Sequence, residues 1–488
     1  MKANGHIHLI GICGTAMASL AGMLKDRGFR VTGSDAAAYP PMSDFLRDMG
    51  IPTAQPFSGK NLEPRPDLVV IGNAISRGNV ELEHVLDQRI DFCSLPQLLH
   101  DEFLHGKEVI VVAGTHGKTT TTSMLSWIFH SAGFDPSFLI GGIAENFGSS
   151  FHLGSGKHFI VEGDEYDTAF FDKGPKFLHY FPDAVILTSV EFDHADIYKD
   201  LDAVETAFKR LVNLVPRRGQ IVAFDGVSGD QSANPSLERC LAKTFCPVER
   251  YGVGPRSDWR VSELRLDPSG TSWTVLREGK TWGRFEFALA GEYNVWNATA
   301  AAVMAFSCGI SLDAIADALR TFKSVKRRLE VKAQVHGITI IDDFAHHPTA
   351  IAGTLKALRA RYPGSRLWVI LEPRSNTLRR RVLQSDLARS LALADEIVVA
   401  GVFRSEAVPA NERLELPELA AEIARYGRRA RLLSDADVIV DIVAPEMRTG
   451  DVVAILSNGG FGAIYEKLPA RLRELTSTMA ATATNPTE

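Results

Sequence analysis

Little in this sequence suggests a membrane, an export route or a thiol-based framework. No apolar run approaches the ~18 residues that a spanning helix needs, so no membrane partner is expected. The five cysteines, Cys13, Cys93, Cys240, Cys246 and Cys308, are odd in number and scattered. They show neither a disulfide framework nor paired metal spacing and are expected to be reduced thiols. The opening MKANGHIHLIGICGT runs straight into a strand-and-loop pattern with no signal-peptide cleavage region, which predicts a cytoplasmic protein. Neither sign of charge dominates: 53 Lys and Arg face 59 Asp and Glu, for a net charge of -6. That balance argues against a general nucleic-acid binder and leaves small molecules as the expected partners. No tandem repeat is found, and oligomeric state leaves no mark.

At 488 residues the chain exceeds one ordinary core, and about 150 residues per domain predicts three. Hydrophobic residues at 45% and charged residues at 23% suit a globular protein. An apolar strand at 7–10 leads through a glycine-bearing loop into a helix-periodic segment, and further strands are predicted at 29–32 and 68–71. The short polar stretch 100–107, interrupted by Gly106, predicts a first boundary. A continuous apolar run at 109–113 reads as a strand buried on both faces; 159–161 and 185–187 read likewise, each ending near acidic or imidazole groups. Short alternating stretches between 250 and 287 predict antiparallel strands attached to the central unit. A third alternating block has strands at 338–341, 367–371, 397–400 and 452–456. The expected fold class is α/β, with units at 1–106, 107–325 and 326–475 and a frayed tail at 476–488.

The strongest motif is Gly114-Thr115-His116-Gly117-Lys118-Thr119-Thr120, between the buried strand and an amphipathic helix. Glycines let backbone approach phosphate, helix N-terminal N–H groups face the anion, a lysine supplies charge and a hydroxyl can ligate magnesium. The spacing departs from the usual P-loop, because Val112 stands where a first glycine is expected. Lys118 is expected in a solvent-facing loop, so its loss should leave the fold intact. Glu162, Asp164 and Glu165 follow one strand, and Asp193 and His194 another, placing possible magnesium ligands beside the loop. Asn294 and Asn297 lie one turn apart, either aimed at one ligand or, for the first, capping a helix. Arg327 and Arg328, and Asp342 to Pro348, mark a junction that either clamps a nucleotide or forms an ordinary interdomain salt bridge. The loop Gly11-Ile12-Cys13-Gly14 is a broken dinucleotide fingerprint, with Cys13 and Ala16 at its later glycine positions. It leaves open a nicotinamide enzyme with Asp35 on the ribose, or a packing turn with no ligand.

Together GTHGKTTT, NVWNATAA and KRRLE followed by DDFAHHP resemble the Mur ligase family, in the family's order and over nearly the whole chain. The resemblance implies an N-terminal Rossmann-like domain binding a UDP-sugar, a central P-loop ATPase domain with a small antiparallel sheet, and a Rossmann-like C-terminal domain that closes over the site. The first loop would then hold UDP, through Gly11, Cys13, Gly14, Thr15, Ser34, Asp35 and Asn73. The family pattern puts ATP on Gly114 to Thr120, with Asn294, Asn297, Arg328 and Asp343. Thr119, Glu162 and His194 would hold magnesium, and Lys118, His194 and Arg328 would be catalytic. Some members carry a carbamylated lysine near the position of Lys209, whose role here stays open.

Within the family, GICGTAM, GSDAAAYPPMS, EYDTAFFDK, LEPRSNT and SNGGFG resemble the type that joins UDP-N-acetylmuramate to L-Ala-γ-D-Glu-meso-diaminopimelate in murein recycling. The L-alanine-adding type of peptidoglycan biosynthesis, the alternative, typically has Gly at Cys13 and Tyr-Gly at Phe344 and Ala345. The Asp-Asn-Pro-Arg signature of the diaminopimelate-adding relative is absent, so Arg374, Ser375 and Asn376 are the candidates for reading the peptide. A nicotinamide oxidoreductase and a non-enzymatic ATP-gated binding protein remain as other classes.

Overall fold

The computed structural model describes residues 4–38, 42–226 and 234–483, with side chains described as far as 475. It holds three principal sheets. The first contains β1 (His6–Ile10), β2 (Arg30–Ser34), β3 (Thr53–Ala54), β4 (Leu68–Ile71) and β5 (Phe92–Ser94), all parallel, in the order β3-β2-β1-β4-β5. His100–Leu104 forms a π-helical turn that buries Phe103 and Leu104 before Gly106 turns the chain out of this unit.

The central sheet comprises β6 (Glu108–Ala113), β7 (Ser137–Ala144), β8 (Ser149–His152) and β9 (His158–Gly163). After a side hairpin of β10 (Asp167–Ala169) and β11 (Asp172–Pro175), it continues with β12 (Ala184–Leu187), β13 (Gln220–Phe224) and β14 (Val248–Gly252). β15 (Trp259–Asp267), β16 (Gly270–Arg277) and β17 (Lys280–Phe287) extend it as the antiparallel strands expected from the alternating sequence. The order is β17-β16-β15-β14-β13-β12-β6-β9-β7-β8. β6 is therefore central and pairs in parallel with β12 and β9, so that Ala113 lies opposite both Leu187 and Gly163. That register brings three strand ends, and the loops leaving them, to one edge.

The third sheet holds β18 (Glu330–Val335), β19 (Ile338–Asp343), β20 (Leu367–Leu371), β21 (Glu396–Ala400), β22 (Ala430–Leu433) and β23 (Val452–Leu456), in the order β18-β19-β23-β20-β21-β22. Only the β18 edge is antiparallel. Asp343, Leu456 and Leu371 stand side by side at its carboxyl edge. β20 and β23 are buried at every position, as strands covered on both faces must be.

One face of the first sheet and one of the central sheet share a continuous core, sealed where Ser19 Oγ meets Ser150 Oγ at 2.7 Å. The other central face packs under the helices Lys118–Ser131 and Glu292–Ser307. The final helix runs Ile464–Ala483. The segment expected to fray from 476 thus continues as helix to Ala483, and 484–488 lie outside the described residues. Among the described residues no helix is long and apolar enough to cross a membrane.

Candidate active site

The glycine loop leaves β6 with Gly114 at φ +137° and reaches the helix Lys118–Ser131 with Gly117 at φ +79°. A side chain at Gly117 would strike the Asn297 amide, so the loop lies directly on the helix Glu292–Ser307. Gly291 caps that helix with no side-chain bond, and Asn294 sits inside the first turn, donating to Ala290 O at 2.8 Å. Asn294 is therefore not the cap. Asn297 donates to Asn294 Oδ1 at 3.4 Å, making one amide pair beneath the loop.

Lys118 is not solvent-facing. Its ammonium is 2.8 Å from Glu165 Oε2 and 2.7 Å from Gly114 O, with only 14% of the side chain exposed and 2% of Glu165. The reason is topological: β9, beside β6, delivers Glu162 to Glu165 to the loop. Burial opposes both charges, but their mutual attraction wins, raising the lysine above its ordinary range and lowering the glutamate. His194, after β12, lies 3.4 Å from the same carboxylate. Burial works against its charge, yet the Glu165 bond and the fields of Asp193 and Asp164 outweigh it and push His194 up to about 9.

Of the expected magnesium ligands, Thr119 Oγ1 and Glu162 Oε1 are together at 3.0 Å, while Glu162 Oε2 accepts Gly141 N at 2.7 Å. His194 instead partners Glu165, a residue present in the acidic motif but outside the expected ligand set. Lys209 is elsewhere, paired with Glu205 at 3.3 Å on the helix Leu201–Leu214.

The carboxyl edge of the third sheet faces this one. Arg328 Nη2 comes 3.4 Å from Thr119 Oγ1, its guanidinium over the Phe344 ring at 5.1 Å. Arg327 turns the other way, to Asp342 at 3.2 Å and the carbonyls of Ser457 and Gly459. Asp343 spends its oxygens on Leu329 N, Ala345 N and Thr354 Oγ1, at 2.8, 2.9 and 3.2 Å. It holds the Arg328 turn rather than reaching the loop. Thr377, the last residue of LEPRSNT but not among the candidate site residues, donates to Asp193 at 2.5 Å across the seam.

Around the peptide candidates, Arg374 lies 3.8 Å over the Phe403 ring and 3.5 Å from Glu372. Ser375 is buried, donating to His346 O at 3.3 Å. Asn376 donates to Asp196 of the central unit at 2.7 Å, so the three do not form one open patch.

In the first unit Gly14 and Thr15 are exposed at the start of the helix Thr15–Asp26, and Asn73 is exposed after β4. Gly11 turns at φ +83°, and Cys13 N donates to Asp35 at 2.9 Å, tying the loop to the end of β2. Ser34 points inward: it is fully buried and donates to Glu81, which also accepts Ser58 N at 3.0 Å.

A phosphate-type loop, a buried Lys–Glu pair and an arginine reaching in from a third unit suit phosphoryl transfer with closure. The Mur ligase catalytic domain family matches residues 6–105, the Mur ligase middle domain 112–305 and the Mur ligase glutamate ligase domain 327–459. The chain is 43% identical, over 95% of its length and 97% of the relative's, to the UDP-N-acetylmuramate–L-alanyl-γ-D-glutamyl-meso-2,6-diaminoheptandioate ligase of Escherichia coli. It is 32% identical to a UDP-N-acetylmuramate–L-alanine ligase of Lachnoclostridium phytofermentans, over 95% of the chain and 97% of the relative. Among solved structures, a murein peptide ligase from Psychrobacter arcticus superposes with TM-score 0.74 at 38% identity, covering 96% of this chain and 98% of that one.

Proposed function

The chain belongs to the Mur ligase family, and from that premise we propose that it joins UDP-N-acetylmuramate to L-Ala-γ-D-Glu-meso-diaminopimelate at the expense of ATP, in murein recycling. Residues 1–106 would hold the UDP-sugar, 107–325 the ATP, and 326–475 would close over both. The observation that carries the chemistry is the meeting of Lys118, Thr119 and Arg328 at one glycine loop. The acceptor rests on the 43% identity with the E. coli tripeptide ligase. Substrates of this kind suit work in the cytoplasm.

In this reading the lactoyl carboxylate attacks the γ-phosphate of ATP, giving an acyl phosphate and ADP, and the tripeptide amine then displaces phosphate to form the amide. Lys118, charged and held at the loop by Glu165, would meet the incoming anion. Arg328 adds a second positive charge from the opposite side, and Asp343 fixes the turn that aims it. Asn294 and Asn297 form the amide pair beneath the loop and would meet the adenine side of ATP. The hard oxygen donors of Thr119 and Glu162 fit magnesium, whereas His194, held by Glu165, would have to leave that carboxylate and give up its proton to join them. Bound there, the ion would neutralise developing phosphate charge. Closure of the seam between the carboxyl edges would exclude the water that hydrolyses an acyl phosphate. The first loop, tied by Cys13 and Asp35, would take the UDP phosphates at the start of the helix Thr15–Asp26.

Purified protein given UDP-N-acetylmuramate and magnesium-ATP tests the proposal when tripeptide and L-alanine compete. The tripeptide should be far the better acceptor by kcat/KM, because its carboxylates supply orientation energy that a lone amino acid lacks. A preference for L-alanine would make this the biosynthetic ligase and overturn the recycling role, leaving the family intact.

A further inference from the structure

A cluster distinct from the Lys118–Glu165 pair lies across the same seam. His116, in the glycine loop, places Nε2 3.3 Å from Glu191 Oε2, and His347, from the third unit, places Nδ1 3.8 Å from the same oxygen. All three donor atoms lie within 4.8 Å of one another. Neighbouring ligand atoms of a tetrahedral zinc ion, each about 2.0 to 2.1 Å from the metal, stand roughly 3.3 Å apart. The two spacings to Glu191, 3.3 and 3.8 Å, approach that value before any ion draws the ligands inward. The imidazole rings of His116 and His347 are already neighbours, with centroids 4.6 Å apart and planes tilted by 48°.

The orientation of His347 is the stronger argument. Its Nε2 lies 3.3 Å from Phe192 O, and its Nδ1 accepts the Thr349 N–H at 3.3 Å. These bonds assign the neutral tautomer with the proton on Nε2, given to a backbone carbonyl, and the lone pair on Nδ1, facing Glu191. Zinc-binding histidines take this form, the outer nitrogen held by a carbonyl or carboxylate. The competing cap on Thr349 is long and easily surrendered. Glu191 is itself oriented by Thr349 Oγ1, which donates to it at 2.7 Å.

We propose that His116, Glu191 and His347 form a zinc site joining the ATP loop to the third unit, separate from the place taken by magnesium. Two imidazoles and a carboxylate select zinc over magnesium, which prefers oxygen ligands and retains its water. Water would fill the fourth position. Since one ligand comes from the third unit and two from the central one, bound zinc would hold the seam shut.

The test uses the full-length protein stripped with EDTA and titrated with Zn2+ alone, without nucleotide or sugar, so its outcome is independent of the ligase reading. Calorimetry on wild type should show a site that His347→Gln and His116→Gln each weaken at least tenfold, while His194→Gln, altering the neighbouring Asp164–Glu165–His194 cluster, leaves it unchanged. Glutamine at 347 can still accept the Thr349 N–H, and thermal midpoints in EDTA check that each variant folds. In wild type, Co2+ should give the strong visible absorption of a four-coordinate ion. Equal zinc affinity in wild type and both cluster variants, or loss in His194→Gln instead, would overturn the proposal.

Discussion

Arg328 and Thr119 are 209 positions apart in sequence, yet the guanidinium of the first reaches to 3.4 Å from the hydroxyl of the second. Its neighbour Arg327 points back into the third unit and ties Asp342 to two carbonyls. Adjacent arginines thus have opposite duties. Arg328→Ala should lower kcat/KM by tenfold or more with little change in Tm. Arg327→Ala should cost roughly 3 kcal/mol of stability, because Asp342 is left buried without its partner. Unfolding curves and steady-state kinetics on both variants check this; an Arg328→Ala protein with wild-type turnover would remove the clamp.

Lys118→Ala should abolish ligation, and it should also destabilise the protein, since Glu165 loses its main countercharge in a buried place. The double variant Lys118→Met, Glu165→Gln removes both charges. It should recover most of the Tm and none of the turnover. A single variant melting at the wild-type temperature would show that the pair adds nothing to folding.

Attack on the γ-phosphate gives ADP and phosphate. With oxygen-18 in the lactoyl carboxylate, mass spectrometry should find label in the released phosphate. Label in AMP would refute the acyl phosphate.

Arg374 is spread over Phe403 and weakly opposed by Glu372, so its charge is available to a carboxylate. Arg374→Ala should cost roughly 1.5 to 3 kcal/mol in kcat/KM with the tripeptide, the worth of a charged hydrogen bond, and less with L-alanine. An equal loss with both acceptors would move Arg374 out of peptide recognition.

Burial pushes the thiols of Cys93 and Cys240 up to about 12, and those of Cys13 and Cys308 to about 11. At pH 8 these groups lie well below their titration range and stay protonated, so iodoacetamide should label the native protein slowly and the urea-unfolded protein fast. Peptide mapping that finds Cys93 or Cys240 alkylated early in the native state would contradict this.

Much was legible in the chain itself, for a local reason. Buried parallel strands write themselves as unbroken apolar runs, so 68–71, 367–371 and 452–456 coincide with β4, β20 and β23. The loop at Gly114 to Thr120 is likewise local, since backbone approach to phosphate and a helix start are properties of adjacent residues. What tertiary structure alone decided were the partners. Glu165 stood in view beside Glu162, but which acid meets Lys118 depends on β9 lying next to β6, a pairing of segments about fifty residues apart. The same holds for Ser34, turned from the expected ligand surface to buried Glu81, and for Asn294, placed inside a helix that Gly291 begins. The sequence by itself determined the elements, their order and the chemical groups carried at their ends. Strand order and the docking of two carboxyl edges determined which of those groups face one another, because charge pairing falls off over a few ångströms and no local pattern encodes a distance across the fold.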